Sequence, residues 1–268
     1  MPIINRKDIS DVTLVTIDTN YEKLIYEKNI IKKVFRTKPD SRGRIHIGTT
    51  NEVLIVELKG GSMVYNKITA STIPESYKKS VYRVWNFGDD VLDERGDWIR
   101  EICDYSIHIP TDDCSHVPGF EVRDNDFAKP LINKELAIKK GEQFVYAYGD
   151  RLFTFDQLEK TIQALIDNPS TRRAYIPLYN WSDNSKFVED VPCWVGLQFL
   201  LRKGNLNLID TFRSNDLFYA YPSDVYGARV LQYYVADRIG ASVGWITEHA
   251  GSMHIRMTDE DAVLKFLS

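Results

Sequence analysis

Stretches rich in β-branched and apolar side chains predict strands in two parts of the chain. Residues 11–17 (DVTLVTI) and 53–58 (VLIVEL) lie near the N-terminus. Residues 195–201 (VGLQFLL) and 206–213 (LNLIDTFR) lie on either side of the turn-forming residues 203–205 (KGN). The second pair therefore predicts an antiparallel hairpin.

Helical spacing predicts several helices. A charged stretch at residues 21–35 has a helix-like pattern, and a clearer helix begins at Pro74, which suits the first helical position, and ends at Gly88. The apolar side chains of that helix recur at helical spacing at Tyr77, Val81, Val84 and Trp85. A long helix is predicted from Val225 to Arg238, and a short one after Thr258.

A further helix is predicted over residues 155–167. Thr154 and Gln157 have the spacing of a capping box, and Pro169 ends the helix. Its expected buried stripe consists of Phe155, Leu158, Ile162, Leu165 and Ile166. The acidic stretch at residues 110–142 is expected to be rich in loops. Because strands and helices follow one another without a regular βαβ rhythm, we predict an α+β fold with a large mixed or antiparallel sheet packed by helices.

Composition and charge narrow the class of protein. The 268 residues include 34 basic and 38 acidic side chains, a net charge of −4, which disfavours a protein that coats nucleic acid. Three cysteines without a CxxC spacing argue against a disulfide scaffold or a zinc site, and for a reducing compartment. The first residues lack the apolar core of a signal peptide, and no apolar run is long enough to span a bilayer. We therefore expect a cytoplasmic protein with no membrane or stable nucleic-acid partner and no metal.

The predicted hairpin places one cysteine opposite one arginine. Cys193 and Arg213 are equally far from residue 203, so on paired strands they face each other with Cβ atoms about 4.5–5.5 Å apart. A guanidinium beside a thiol favours the nucleophilic thiolate and can also bind a phosphate through two parallel hydrogen bonds. The alternative is a buried cysteine and an unrelated surface arginine, since free cysteine is often buried.

Arg172 and Arg173 are a second candidate for anion binding. Adjacent residues in an extended chain point to opposite sides, so both rarely serve one site within their own chain. The pair could reach across a subunit boundary, or it could be a solvated basic pair.

Five short motifs in one order resemble thymidylate synthase. They are TRR at 171–173, PCW at 192–194, RSND at 213–216, YPSD at 221–224 and GSMH at 251–254. That family has an arginine pair, a Pro-Cys nucleophile some twenty residues later, then Arg-Ser-x-Asp, Pro-Phe-Asn and Gly-Asp-x-His segments. The resemblance covers about residues 71–258. It implies one thymidylate-synthase-like domain over residues 1–268, with a divergent part at 1–70 of uncertain role.

The resemblance implies a role for each matching residue. Cys193 adds to C6 of a pyrimidine ring, and Tyr148 belongs to the hydrogen-bond network of the active site. His254 contacts the sugar, and Asp216 contacts the pterin of 5,10-methylenetetrahydrofolate. The 5′-phosphate is bound by Arg213 and Ser214 of one chain and by Arg172 and Arg173 of its partner. Such sharing implies a homodimer, with the sheet at the interface.

Two further roles rest on the segment DERGDWIRE at residues 93–101. Glu101 is the candidate for the glutamate that relays protons through water, and Arg95 for the mobile arginine of the phosphate loop. The alternative for both is a solvated charged surface.

Asp224 stands where thymidylate synthases have asparagine, and the cytidylate hydroxymethylases of this superfamily share the aspartate. An amide accepts from uracil N3–H and donates to O4. A carboxyl group that accepts from N4 and shares a proton with N3 suits cytosine. A protonated N3 also draws electrons from C6 and eases thiolate addition. The alternative role for Asp224 is to stabilise a helix N-terminus, and both can hold.

Other departures from the family bear on the reaction. Trp194 replaces the histidine after the nucleophile, at a position assigned to folate contact, and Ser252 replaces an aspartate. Arg256 replaces a tyrosine that contacts the sugar, which leaves ribose and deoxyribose open. The sequence stops at Ser268, shortly after His254, so we expect it to lack the long C-terminal tail that closes over substrate in bacterial thymidylate synthases. A more open site favours water over hydride as the second nucleophile.

The sequence therefore predicts a homodimeric cytidylate 5-hydroxymethyltransferase that uses 5,10-methylenetetrahydrofolate. The alternatives are a thymidylate synthase or uridylate hydroxymethylase, and a homologue that binds nucleotides without chemistry.

Overall fold

The computed structural model describes the backbone of three strands near the N-terminus and most of the chain from residue 66 onward. The described residues are 12–17, 44–48, 53–58, 66–141, 146–180, 183 and 191–268. The chain divides into two units, Met1–Tyr65 and Asn66–Ser268. The division lies close to residue 70, where the resemblance to thymidylate synthase begins. The helix predicted at residues 21–35 lies outside the described residues.

The first unit contains strands Val12–Ile17 (β1), Arg44–Gly48 (β2) and Val53–Leu58 (β3). They form one sheet in the order β1-β3-β2, in which β1 is parallel and β2 antiparallel to β3. Both strands predicted in this region are confirmed.

The second unit is built on a sheet of seven strands. These are Lys67–Thr69 (β4), Asp89–Leu92 (β5), Trp98–Ile109 (β6), Tyr175–Pro177 (β7), Trp194–Arg202 (β8), Asn205–Asp216 (β9) and Ser242–Arg256 (β10). Their order is β4-β6-β10-β9-β8-β7, with β5 paired to β6. β9 runs parallel to β10 and β4 parallel to β6, while the other pairs are antiparallel.

Seven helices accompany this sheet in the described part of the chain. They are Ile73–Phe87 (α1), Glu121–Ile132 (α2), Lys134–Gly141 (α3), Tyr148–Phe153 (α4), Gln157–Asp167 (α5), Tyr221–Ile239 (α6) and Glu260–Leu267 (α7). The core lies between helices and sheet, where α1, α5 and α6 bury their apolar faces. The predicted α+β class with a large mixed sheet is confirmed. None of the helices in the described ranges is long and apolar enough to cross a membrane.

Helix α1 forms as its sequence predicts. The Thr72 side chain caps it by accepting a hydrogen bond from the N–H of Glu75, at 3.2 Å. Tyr77, Val81 and Val84 are buried on one face. The N–H of Gly88 reaches the carbonyl of Val84 at 2.9 Å and closes the last turn.

The start of α5 differs from the prediction. Thr154 to Asp156 form a separate 3₁₀ turn at the end of α4, with Phe155 at φ 55° and Asp156 at φ 54°, so the capping box is absent. Thr154 Oγ1 instead donates to the carbonyl of Asp150 at 2.8 Å, and Gln157 Nε2 donates to that of Arg151 at 2.9 Å. The turn places Phe155 in solvent, 80% exposed.

The stripe predicted for α5 is therefore shorter than expected. Leu158, Ile162 and Leu165 are buried, whereas Ile166 is 49% exposed and does not belong to the stripe.

The acidic stretch at residues 110–142 forms a loop at residues 110–120, and α2 and α3 make most of the rest helical, which the sequence did not predict. Side chains distant in sequence hold α2 in place. Asp124 is fully buried and accepts hydrogen bonds from Ser223 Oγ and His116 Nδ1, both at 2.9 Å. These partners lie outside the helix, so local sequence carries little signal for them.

The predicted hairpin is present, with a shorter turn and one bulge. Arg202 pairs with Asn205 around the two-residue turn Lys203-Gly204, where both φ angles are positive, at 51° and 78°. Val195 is the extra residue in β8, because the register shifts between Trp194 and Gly196. The bulge offsets the shorter turn, so Cys193 does lie opposite Arg213.

Three neighbouring strands are interrupted at the same level. The regular pairing of β6, β10 and β9 skips Asp104, Gly251 and Arg213, and Asp104 has a φ of 54°. Buried positions are three residues apart across this break instead of two, as shown by Ile102 and Tyr105, Ala250 and Met253, and Phe212 and Asn215. The break therefore changes, in all three strands, which alternate residues point toward the buried face, because a shift of one residue reverses the direction of the side chains that follow.

We predict that Gly251→Ala destabilises the second unit by about 1–3 kcal/mol. A Cβ atom at Gly251 would lie 2.7 Å from the backbone oxygen of Arg213, which no side-chain rotation relieves. Urea unfolding monitored by tryptophan fluorescence measures the effect. Ser242→Ala, at an exposed residue at the start of β10, is the control. Equal midpoints for Gly251→Ala and the unmodified protein would contradict the tight approach of these strands.

Candidate active site

Cys193 and Arg213 lie side by side where β8 begins. The N–H of Arg213 donates to the carbonyl of Cys193 at 2.8 Å. The guanidinium folds back onto the same segment, donating from Nε to the carbonyl of Pro192 at 3.0 Å and from Nη2 to that of Val191 at 2.9 Å. The Cys193 thiol is partly buried. The predicted facing of Cys193 and Arg213 on neighbouring strands is confirmed, whereas an effect of the guanidinium on the thiol stays a prediction.

Tyr148, the first residue of α4, packs against the same strand. Its Oη accepts a hydrogen bond from the N–H of Trp194 at 3.2 Å. Burial raises the pKa of Tyr148 well above its usual value, and the nearby charges of Asp224 and Cys193 raise it further. Tyr148 is therefore a neutral hydroxyl close to both the candidate nucleophile and the candidate base-binding carboxyl.

The Trp194 ring is fully buried beneath this strand. It stacks on Phe212 with ring centroids 5.5 Å apart and meets the edge of Tyr148 at 5.4 Å. In this arrangement Trp194 supports Tyr148 directly, whereas its folate contact stays a prediction.

Beyond the strand break, the predicted polar residues lie in register across three strands. His254 pairs with Glu101 on one side and with Asp216 on the other. Ser252 Oγ donates to Glu101 Oε2 at 2.5 Å, and Ser214 Oγ lies 3.4 Å from His254 Nδ1. Burial lowers the pKa of His254, so its imidazole is neutral at pH 7. The row combines hydroxyl, imidazole and carboxylate groups suited to a sugar and a water relay.

Asp216 is oriented by its neighbours at the end of β9. Its Oδ1 accepts hydrogen bonds from the N–H groups of Phe218 and Tyr219, both at 3.2 Å. Its Oδ2 lies 3.3 Å from Nε of Arg256, whose side chain is 44% exposed. Because this ion pair is partly exposed, it orients the carboxylate more than it stabilises the fold.

Asp224 lies in the first turn of α6 and is only 7% exposed. Burial raises its pKa to about 7, while Arg123 and a hydrogen bond from Asn215 act in the opposite direction. Near neutral pH its carboxyl therefore exists both with and without a proton. A group of this kind can share a proton with a base.

Two predicted phosphate-binding arginines, Arg172 and Arg173, lie apart from this cluster. Both are exposed in the loop before β7, where the carbonyl of Arg172 accepts from Gln198 Nε2 at 3.0 Å. Within the described residues of a single chain, neither of them contacts the cluster around Cys193. Arg95 is exposed in the turn between β5 and β6, and its N–H donates to Asp93 at 2.9 Å.

Four residues near Asp224 were not identified from the sequence. They are Arg123 of α2, Asp210 and Asn215 of β9, and Glu248 of β10. One signal was available, because Asp210 shares the alternation of the buried Leu206, Leu208 and Phe212. In the described parts of the chain, no group of three or more His, Cys, Asp or Glu side chains is arranged to hold a metal ion.

We predict that Asp224→Asn changes how stability depends on pH. Folding raises the pKa of this carboxyl from its ordinary 3.8 to about 7. Below pH 4 the group is protonated in both the folded and the unfolded chain, so it does not lower the free energy of unfolding. Stability falls as the pH rises from about 4 to about 7, because over this range the unfolded chain releases a proton that the folded carboxyl keeps, and the loss is complete once the folded carboxyl ionises as well. Asp224→Asn lacks this loss. The unfolding free energy of the variant minus that of the unmodified protein should therefore be a few kcal/mol larger at pH 8 than at pH 5.

Urea unfolding at both pH values measures the difference. Glu159→Gln, which changes a half-exposed carboxylate paired with Arg238, is the control. A constant difference for Asp224→Asn across this range would contradict a raised pKa.

Comparison with known proteins agrees with this geometry. The thymidylate synthase family model matches residues 67–268. A protein of Methanococcoides burtonii named "Putative thymidylate synthase" is 35% identical over 212 residues, which cover 75% of this chain and 94% of the relative. A protein of the same name from Methanosarcina acetivorans is 35% identical, and the match covers 73% of this chain and 92% of the relative. Another from Methanothermobacter thermautotrophicus is 30% identical, and the match covers 72% of this chain and 94% of the relative. With the site residues in the order and arrangement described above, this chain belongs to the thymidylate synthase family.

Proposed function

We propose that this protein transfers a one-carbon unit from 5,10-methylenetetrahydrofolate to C5 of cytidine or deoxycytidine 5′-monophosphate and yields 5-hydroxymethylcytidylate. The family supports a folate-dependent one-carbon transferase. The observation that carries the choice of base is the buried carboxyl of Asp224, whose pKa is raised to about 7.

The carboxyl of Asp224 has hydrogen-bonding groups that match the cytosine edge. One oxygen accepts from the N4 amino group, and the proton on the other is shared with N3. Since N3 of cytosine is basic and N3 of uracil carries a proton already, only cytosine can take up this proton. A base with the wrong pattern leaves buried polar groups unpaired, which a dry site penalises strongly.

The proposed reaction uses Cys193 as a covalent catalyst. Its thiolate adds to C6, which makes C5 nucleophilic, and C5 bonds to the one-carbon unit while that unit is still attached to tetrahydrofolate. Loss of the C5 proton then supplies the electron pair that expels tetrahydrofolate and forms an exocyclic methylene. Water adds to that carbon, the bond from sulfur to C6 breaks, and the hydroxymethyl nucleotide is released. Glu101 and Tyr148 are the proposed groups for proton transfer through water.

The remaining predicted residues serve binding in this proposal. Arg213 and Ser214 bind the 5′-phosphate, His254 and Arg256 lie toward the sugar, and Asp216 and Trp194 serve the folate. Because Arg172 and Arg173 are exposed and apart from the cluster, we propose that a second copy of the chain supplies them to the phosphate, and that Arg95 closes over it.

A second candidate is methylation of deoxyuridylate, and the names of the archaeal relatives favour it. Hydroxymethylation of a uridylate is related to it. Incubation with methylenetetrahydrofolate and each of CMP, dCMP, UMP and dUMP, followed by mass analysis of the products, separates them. Turnover of uridylates alone would overturn the proposal, and formation of dihydrofolate would indicate methylation. A homologue that only binds nucleotides would convert none of the four.

We predict that Cys193→Ala abolishes tritium release from C5-labelled CMP or dCMP while nucleotide binding stays within about threefold, because the thiol makes a bond and contributes little to ground-state affinity. Binding is measured by calorimetry. Cys114→Ala, at a partly buried cysteine in the loop before α2, is the control and should keep its activity. Release by Cys193→Ala at the unmodified rate would exclude covalent catalysis by this residue.

We predict that Asp224→Asn shifts base preference toward uracil, because the amide accepts from N3–H and donates to O4. The ratio of kcat/KM for cytidylate and uridylate should fall by at least about tenfold. An unchanged ratio would refute the proposed base recognition.

A further inference from the structure

A pair of buried carboxyl groups lies behind Asp224. Asp210 and Glu248 are direct neighbours on the parallel strands β9 and β10, and they are 0% and 2% exposed. Glu248 Oε1 accepts a hydrogen bond from Asn215 Nδ2 at 3.2 Å. Within the part of the chain that the structure describes, both oxygens of Asp210, Oε2 of Glu248 and Oδ1 of Asn215 have no hydrogen-bond partner.

The two carboxyls favour their uncharged forms. Burial raises the pKa of both well above the ordinary range, and a negative charge on Asp224 opposes the ionisation of either one. Neighbouring carboxyls in a dry site cannot all ionise, so some retain their protons. A protonated carboxyl is also a donor, which provides a partner for the oxygens that otherwise have none.

Asn215 connects this pair to Asp224. Its amide nitrogen faces Glu248, and its hydrogen bond to Asp224 favours the ionised form of that carboxyl. An amide nitrogen has two N–H groups and can serve both acids at once. The Asp224 oxygen that accepts this N–H acts as an acceptor, which leaves the other oxygen to carry the proton.

We infer that Asn215, held in one orientation by Glu248, is a specificity-determining positioning residue that confines the Asp224 proton to one oxygen. A carboxyl with a confined proton presents donor and acceptor in one order and suits one of the two pyrimidines. A carboxyl whose proton moves between its oxygens suits both, because uracil and cytosine have opposite patterns. The inference rests on the proposed function for the identity of the favoured base, cytosine.

Several charged or titratable groups act on Asp224 or respond to its charge. They are Arg123 of α2, Tyr148 of α4, Asp210 and Asp216 of β9 and Glu248 of β10. The variants below leave Arg123, Tyr148, Asp210 and Asp216 unchanged, so a difference between them reports on Asn215 and its anchor.

Base selectivity tests the inference in the full-length protein. Asn215→Leu removes the amide at similar volume, and the cytidylate-to-uridylate ratio of kcat/KM should fall by about tenfold or more. Glu248→Met, which removes the anchor, should have the same direction of effect. Glu248→Gln keeps an oxygen that accepts from Asn215, so its ratio should stay within about twofold. Glu159→Gln is the surface control. An unchanged ratio in Asn215→Leu, or an equal loss in Glu248→Gln and Glu248→Met, would overturn the inference.

A titration without substrate separates this inference from the proposed function. In the ligand-free protein, infrared difference spectra follow the carbonyl band of protonated carboxyls as the pH changes. The band of Asp224 is identified as the one that is absent from Asp224→Asn. In Asn215→Leu this band should titrate at a higher pH than in the unmodified protein, because the variant lacks a hydrogen bond that favours the ionised form of Asp224. An unmoved midpoint would overturn the role of Asn215 even if cytidylate is the substrate. A moved midpoint in a protein that converts only uridylates would overturn the proposed function and keep the inference on Asn215.

The unmodified protein supplies a test that needs no variant. Protonated carboxyls should persist above pH 7 in its infrared spectrum, because Asp210 and Glu248 are buried together. Complete ionisation by pH 7 would overturn the proton-sharing pair.

Discussion

The candidate site depends on the shared interruption of β6, β9 and β10. In a regular strand every second side chain points to the same face. The break at Asp104, Arg213 and Gly251 shifts this alternation by one residue in all three strands. Buried residues therefore continue across the break, as Ala250 and Met253 show, while Glu101, His254 and Asp216 beyond it are partly exposed. Because three strands shift together, the pairing of the sheet is kept on both sides.

Electrostatic arrangement, rather than fold, governs what this site can do. The guanidinium of Arg213 is partly buried and is held by the carbonyls of Pro192 and Val191, while the carboxyls of Asp210, Asp224 and Glu248 are buried. A carboxyl removed from water can share a proton, and a guanidinium can bind an anion, so the two regions differ in the chemistry that they can support. Family membership is compatible with several pyrimidine substrates, so the base has to be argued from Asp224 and its neighbours.

Coupling among the buried acids links the stability of the protein to its chemistry. Asp210, Glu248 and Asp224 each favour the protonated form, and every proton lost from this group adds charge to a region without water. Such groups destabilise the fold at alkaline pH. Their presence beside the candidate base-binding residue is consistent with the general observation that strongly shifted pKa values concentrate at functional sites.

Local patterns were enough to predict α1 and the hairpin of β8 and β9, because both depend on residues close in sequence. The family motifs could be recognised because they keep a fixed order along the chain. The sequence also predicts that Cys193 faces Arg213, but only because two differences from the structure cancel: the predicted turn is one residue too long, and the bulge at Val195 is not predicted. The helices of residues 110–142 and the exposed position of Phe155 depend on contacts between distant segments, such as Asp124 with Ser223. The buried network of Asp210, Asn215 and Glu248 was equally hidden, since burial and pKa shifts arise only when β9, β10 and α6 pack together and exclude water.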